Sequence, residues 1–178
     1  MMQRIVFLCG PDRCGKTEIG QELAGRSGIP YFKASSEHDT FLSCRVSRRE
    51  AFLNQMRYAD PRVFDVLKQT GHSVIFDRGF PCERVYSKVL GRKTDQQIIK
   101  HMDEMWASLG AVIVLCHRSS YLGISDDLDP RIDSHVLDAI HDEYFDFVDN
   151  VTRCRTLKLN VDDEDLDREV SEIMEFIK

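Results

Sequence analysis

The sequence predicts a three-layer α/β domain, a five-stranded parallel sheet flanked by helices, and three observations carry that expectation. Short apolar runs of strand length recur along the chain, stretches with helical spacing separate them, and the first run opens directly onto a glycine-rich turn. A chain of 178 residues, 42% hydrophobic and 30% charged, is large enough to bury a core of its own, so one domain spanning 1–178 is expected.

The elements follow in order. Ile5 to Cys9 is continuously apolar, as in a strand covered on both faces. A helix is expected from Lys16 to Arg26, with Ile19 and Leu23 facing the core and Gly28 and Pro30 stopping it. Tyr31 to Lys33 makes a short second strand. Two helical stretches come next, near Arg48 to Tyr58 and from Pro61 to Thr70; Asp60 suits a cap, Pro61 a first helical position and Gly71 an end. Ser73 to Asp77 is a third strand that ends in a carboxylate. Thr94 with Gln97 has the form of a capping box, before a stripe of Ile98, Ile99, Met102, Met105, Trp106 and Leu109 that runs to Gly110. Ala111 to Cys116 is a fourth strand. A polar, acidic loop occupies about 117–133, and a long helix follows it with Val136, Leu137, Ile140, Tyr144 and Val148. Thr156 to Val161 reads as the last strand, and Leu166, Val170, Ile173, Met174 and Ile177 line a closing helix.

Composition narrows the function classes. No apolar stretch reaches the roughly 18 residues that a membrane-spanning helix needs, and the first apolar run is short for a signal peptide. Six cysteines, at 9, 14, 44, 82, 116 and 154, form neither a C-x-x-C pair nor a zinc-type spacing with histidine. Reduced thiols in a cytoplasmic protein are therefore expected, with no membrane partner. The net charge of -6 argues against broad nucleic-acid affinity. Arginine nonetheless gathers locally, at Arg45, Arg48, Arg49, Arg57 and Arg62 against Glu50 and Asp60.

The segment Gly10-Pro11-Asp12-Arg13-Cys14-Gly15-Lys16-Thr17 has the frame Gly-x-x-x-x-Gly-Lys-Thr between a buried strand and a helix. Such a turn aims successive backbone N–H groups at one anion, and the helix N-terminus adds partial positive charge. Lys16 can then reach the β- and γ-phosphates and Thr17 can ligate Mg²⁺, so ATP and Mg²⁺ are the expected cofactors. Asp77, at a strand end on the edge where the cradle is built, is the natural second metal-holding group. Arg78 leaves the sheet beside it and can grip an acceptor phosphate with two prongs. Arg118 and Arg131, at the ends of the 117–133 loop, are candidates to swing onto the phosphates. The Asn-Lys-x-Asp motif of a GTPase is absent from the sequence.

The loop resembles that of the thymidylate kinases that carry Asp-Arg inside it. Phe76-Asp77-Arg78, followed by Cys82 and Tyr86, is similar to that family's Asp-Arg-Tyr-x-x-Ser-x-x-x-Tyr stretch, and Arg57 lies at a similar distance before Asp77. Deoxynucleoside kinases share the architecture. The resemblance implies a P-loop kinase fold and phosphoryl transfer from ATP to a deoxynucleoside monophosphate, thymidylate or a related pyrimidine nucleotide. It also implies that Arg13 touches the transferring phosphoryl group and that Asp12 accepts a hydrogen bond from the acceptor's 3'-hydroxyl. Arg57 and Arg78 would hold the acceptor phosphate, Tyr86 would pack near the sugar or base, and the 117–133 loop would close as a lid. Homodimers are common in that family, which makes a second copy an expected partner. Gly79, Cys82 and Leu53 depart from the family pattern, and Lys33-Ala34-Ser35-Ser36-Glu37 matches its Arg-x-Pro segment only loosely.

Chemistry separates the acceptors. A monophosphate acceptor is already ionised and needs cations but no base, whereas a hydroxyl must lose a proton to a nearby carboxylate. The arginines and Arg78 favour the first. Glu37, just after the second strand, keeps open a kinase acting on a hydroxyl of a nucleoside or nucleic acid. A third reading is an ATP-binding switch without turnover. The acidic stretch Asp162 to Glu169 reads as the cap and solvated start of the last helix.

Overall fold

The computed structural model describes residues 3–33, 60–124 and 132–178. The expected helix near Arg48 to Tyr58, and with it Glu37, Leu53 and Arg57, lies outside the described residues, as does Arg131. The elements run in the order β1 (Ile5–Cys9), α1 (Lys16–Ser27), β2 (Tyr31–Lys33), α2 (Asp60–Thr70), β3 (Val74–Asp77), α3 (Phe80–Val89), α4 (Gln96–Ser108), β4 (Val112–His117), α5 (Ser134–Asp146), β5 (Arg155–Asn160) and α6 (Leu166–Phe176). The five strands form one parallel sheet in the order β2-β3-β1-β4-β5.

Alternation along β1 sorts the two faces. Phe7 stacks on Phe76 at 4.8 Å and meets Phe80 and Trp106 edge-on, toward the layer of α3 and α4. Phe64 of α2 reaches the same Trp106 at 5.5 Å. Leu8, one residue on, points the other way, toward Gly20 of α1. Helix α6 packs on α1, while α3 packs on α4 and α5, which completes the three layers. Each strand of β1, β3 and β4 is buried along nearly its whole length, as the continuous apolar runs predict.

Several expectations change in detail. Helix α3 has no counterpart in the sequence reading; Gly79 stands at its N-cap and leaves room for the Phe7 ring. The cap of α4 is Asp95, whose carboxylate accepts from the Gln97 and Ile98 amides, and not the Thr94 box. The Asx geometry satisfies two of the orphan helix amides from a single residue, which a threonine one position earlier does not. Helix α5 passes into a π-helical turn over Phe147–Val151 before β5. Among the described residues, no helix is long and apolar enough to cross a membrane.

Candidate functional site

The turn between β1 and α1 is held open by three residues with positive φ, Gly10, Arg13 and Gly15. Gly15 is the N-cap of α1 and offers no side chain to its first amides, so these remain donors for an anion. Lys16 is buried and its Nζ donates to the Pro11 carbonyl, which folds the side chain back over the turn. A cavity of about 780 Å³ opens on this turn; Asp12, Lys16, Thr17, Lys33, Asp77 and Arg78 are among its walls, as are Arg13, Cys14, Gly15 and Arg118.

Asp77 is brought beneath the turn by the register of the sheet. It pairs with Leu8 of β1 and Lys33 of β2, so its side chain takes the face toward α1. Its Oδ2 accepts two hydrogen bonds, from Thr17 Oγ1 at 2.7 Å and from the Tyr31 hydroxyl at 2.7 Å. Its Oδ1 is buried and has no hydrogen-bond partner among the described residues. A hard carboxylate oxygen left unsatisfied beside a threonine hydroxyl fits Mg²⁺, which takes one or two protein oxygens and completes its shell with water and phosphate. Thr17 and Asp77 are the residues that would hold it. Tyr31, which the sequence marks only as a strand residue, is the addition here. Burial, then the bond to Asp77, push its phenol well above the usual range, so it stays a donor.

The other end of the turn carries a second constellation. Asp12 Oδ1 accepts from Arg78 Nη2, and Asp12 Oδ2 accepts from the Tyr86 hydroxyl at 2.7 Å. Burial pushes the Asp12 carboxyl up, but the Arg78 and Lys16 charges and the Tyr86 bond outweigh it and hold the group below its usual value. Three residues expected on the acceptor side from separate parts of the chain thus meet in one network. Arg78 follows β3 with φ 74°, a conformation uncommon for a side chain of its size.

Arg118, the first residue after β4, is fixed at the opposite rim. Its Nε donates to the Arg13 carbonyl at 2.9 Å and its Nη2 to Glu164 at 2.8 Å. Within the acidic stretch expected to cap the last helix, Asp165 is the residue that caps α6, by accepting from the Arg168 amide. Asp162, at the start of that stretch, accepts from the Ser119 amide and from Asn160, and hydrogen bonds from Ser119 and Asn160 bring its carboxyl down to about 2. The start of the expected lid is therefore anchored to the end of β5. Among the described residues, no group of three or more His, Cys, Asp or Glu side chains is arranged to hold a metal.

No protein-family model matches the chain, and no curated protein matches it in sequence. Solved structures do. The YorR protein of Bacillus subtilis, in complex with phosphorylated GDP, superposes with a TM-score of 0.68 at 18% identity, over 97% of this chain and 95% of that one. Thymidylate kinase from Ehrlichia chaffeensis gives 0.65 at 13% identity, over 99% and 100%. Deoxyadenosine kinase from M. mycoides, with products dCMP and a flexible dCDP bound, gives 0.57 at 16% identity, over 97% of each chain. The chain has the fold of the P-loop nucleotide kinases, in the form that thymidylate and deoxyadenosine kinases share.

Proposed function

We propose that this protein is an ATP- and Mg²⁺-dependent nucleoside monophosphate kinase that acts in the cytoplasm on a deoxynucleoside monophosphate, thymidylate or a related pyrimidine nucleotide. The observation that carries the reading is the state of the carboxylates around the cradle. Asp12 has both oxygens engaged and its basicity lowered, and Asp77 turns one oxygen to Thr17 and Tyr31 and the other into a buried site. Among the described residues neither is suited to take a proton from an acceptor hydroxyl, whereas Arg78 stands ready to neutralise an acceptor phosphate.

In this reading the chain works by positioning and charge neutralisation. The turn amides and Lys16 cradle the donor phosphates. Bound Mg²⁺ supplies charge neutralisation at the phosphates, with Thr17 and Asp77 as its protein ligands. Arg13 approaches the transferring phosphoryl group. Arg78, released in part from Asp12, holds the acceptor phosphate together with Arg57, and Asp12 takes the acceptor's sugar hydroxyl. Lys33 and Tyr86 border the acceptor, Arg118 stands at the rim of the donor site, and Arg131 closes over ATP.

The second reading, transfer to a deoxynucleoside hydroxyl with Glu37 as base, is favoured by the deoxyadenosine kinase likeness. A coupled assay of ADP formation with dTMP, dUMP, dCMP, deoxynucleosides and oligonucleotides separates the two. Turnover with a monophosphate supports the proposal. Silence with every monophosphate and turnover of a nucleoside or oligonucleotide overturns it, and ATP binding without turnover on any acceptor points to the switch protein.

A further inference from the structure

Two hydroxyls converge on one oxygen of Asp77. Thr17 comes from the first turn of α1, and Tyr31 comes from the edge strand β2, 46 residues before Asp77 in the chain. The arrangement is built by the sheet. Tyr31 pairs with Ile75, so it shares a face with Asp77 two residues further along β3, and its ring leans along that face toward the carboxylate. Helix α1 makes room for it. A Cβ at Gly20 would stand 2.5 Å from Tyr31 Cε2 and 2.9 Å from Leu8 Cδ1, so the glycine in the middle of α1 is what lets the ring pass beneath the helix.

The consequence falls on the other oxygen. A carboxylate with one hydrogen bond can still rotate about its terminal torsion and exchange its two oxygens. With two donors on Oδ2 the plane is fixed, and Oδ1 stays buried and unsatisfied beside Thr17. Thr17 would also have a second duty as a ligand of the bound ion. Tyr31 has none, and holds Oδ2 in either state.

We propose that Tyr31 is a positioning residue of the magnesium site, holding Asp77 so that Oδ1 faces the ion or a water of its shell, with Gly20 as the space that permits it. This rests on the phosphoryl-transfer reading above. Outer-shell partners of metal ligands typically change metal affinity by about 10–100-fold when removed.

The test is calorimetric titration of ATP into the full chain, once with Mg²⁺ and once with EDTA, for the natural protein, Tyr31→Phe and Gly20→Ala. In the natural protein Mg²⁺ is expected to tighten ATP binding. In Tyr31→Phe that gain should shrink by about 10-fold while the affinity for metal-free ATP stays the same. Gly20→Ala, which displaces the ring, should show the same pattern, and it serves as the second probe should Tyr31→Phe melt early by circular dichroism. An unchanged Mg²⁺ gain in both variants, or an equal loss with and without metal, overturns the inference and leaves the functional reading standing. Failure of the natural protein to bind ATP, or indifference of its binding to Mg²⁺, overturns the functional reading itself, and the inference with it.

Discussion

The Cys14 sulfur lies 3.2 Å from the Tyr121 hydroxyl, which ties the centre of the glycine-rich turn to the segment that follows β4. Both side chains are buried, and the same hydroxyl accepts from the Arg118 amide at 3.1 Å. Cys14 is thus a contact between the glycine-rich turn and the segment after β4, and burial raises its thiol, which makes it a poor nucleophile. Tyr121→Phe leaves the Arg118 amide without its acceptor. It should cost about 1–3 kcal/mol in a urea unfolding titration. It should also weaken ATP binding, since Arg118 braces the Arg13 carbonyl.

Asp12 and Arg78 form a pair that is only partly exposed, with side-chain exposures of 16% and 30%. Because the folded Asp12 is more acidic than an unfolded aspartate, its contribution to stability is present above about pH 4, the unfolded value, and is lost as pH falls through the lower folded value. Asp12→Asn should therefore destabilise the protein by about 1–3 kcal/mol at pH 7. The difference from the natural protein should narrow as the pH falls below about 4. Paired thermal melts across pH measure both.

Glu169 has the opposite sign. It is 4% exposed on α6, its Oε1 lacks a hydrogen-bond partner among the described residues, and it meets Arg168 only loosely, at 3.9 Å. Burial raises its carboxyl despite the Arg168 and Arg118 charges, and Asp163 and Asp165 push the same way as burial. A raised folded value means that the favourable state is the protonated one, fully present below about pH 4.3, the unfolded value, and lost as pH rises through the folded value. Glu169→Gln should raise the melting temperature at pH 7, and the gain should fade toward pH 4. A variant that melts lower than the natural protein at pH 7 would show that Glu169 has a favourable partner.

Much of this was legible in the sequence, and the exceptions have physical causes. The cradle is local, its chemistry set by eight consecutive residues, and the strands announce themselves because a strand covered on both faces must be apolar throughout. Asp77 stood out as a carboxylate at the end of such a run. Helix α3 did not, because its inward face carries Glu83 and Ser87, bonded to each other at 2.5 Å, and these break the apolar stripe that would mark it. Tyr31 was unreadable for another reason. Its partner is chosen by the pairing of β2 with β3, and no spacing along the chain encodes which strands become neighbours.

Gly10 and Gly15 occupy the two fixed glycine positions of one motif, yet the structure gives them different tasks. Gly10 has φ 138° and lies against β4, so an added Cβ would stand 2.0 Å from the Cys116 carbonyl oxygen. That oxygen belongs to the central sheet and cannot retreat without parting β1 from β4. Gly15 has φ 62°, and an added Cβ would find nothing closer than Ile19 Cδ1 at 3.8 Å. Gly10→Ala should abolish folding, read as loss of soluble, cooperatively melting protein. Gly15→Ala should fold, at a cost of about 1–2 kcal/mol for the left-handed conformation. Its Cβ rises at the mouth of the cavity where the donor phosphates are expected, so ATP affinity should fall by far more than that cost accounts for. Equal stabilities for the two variants would mean that the close approach of Gly10 to β4 does not constrain the fold.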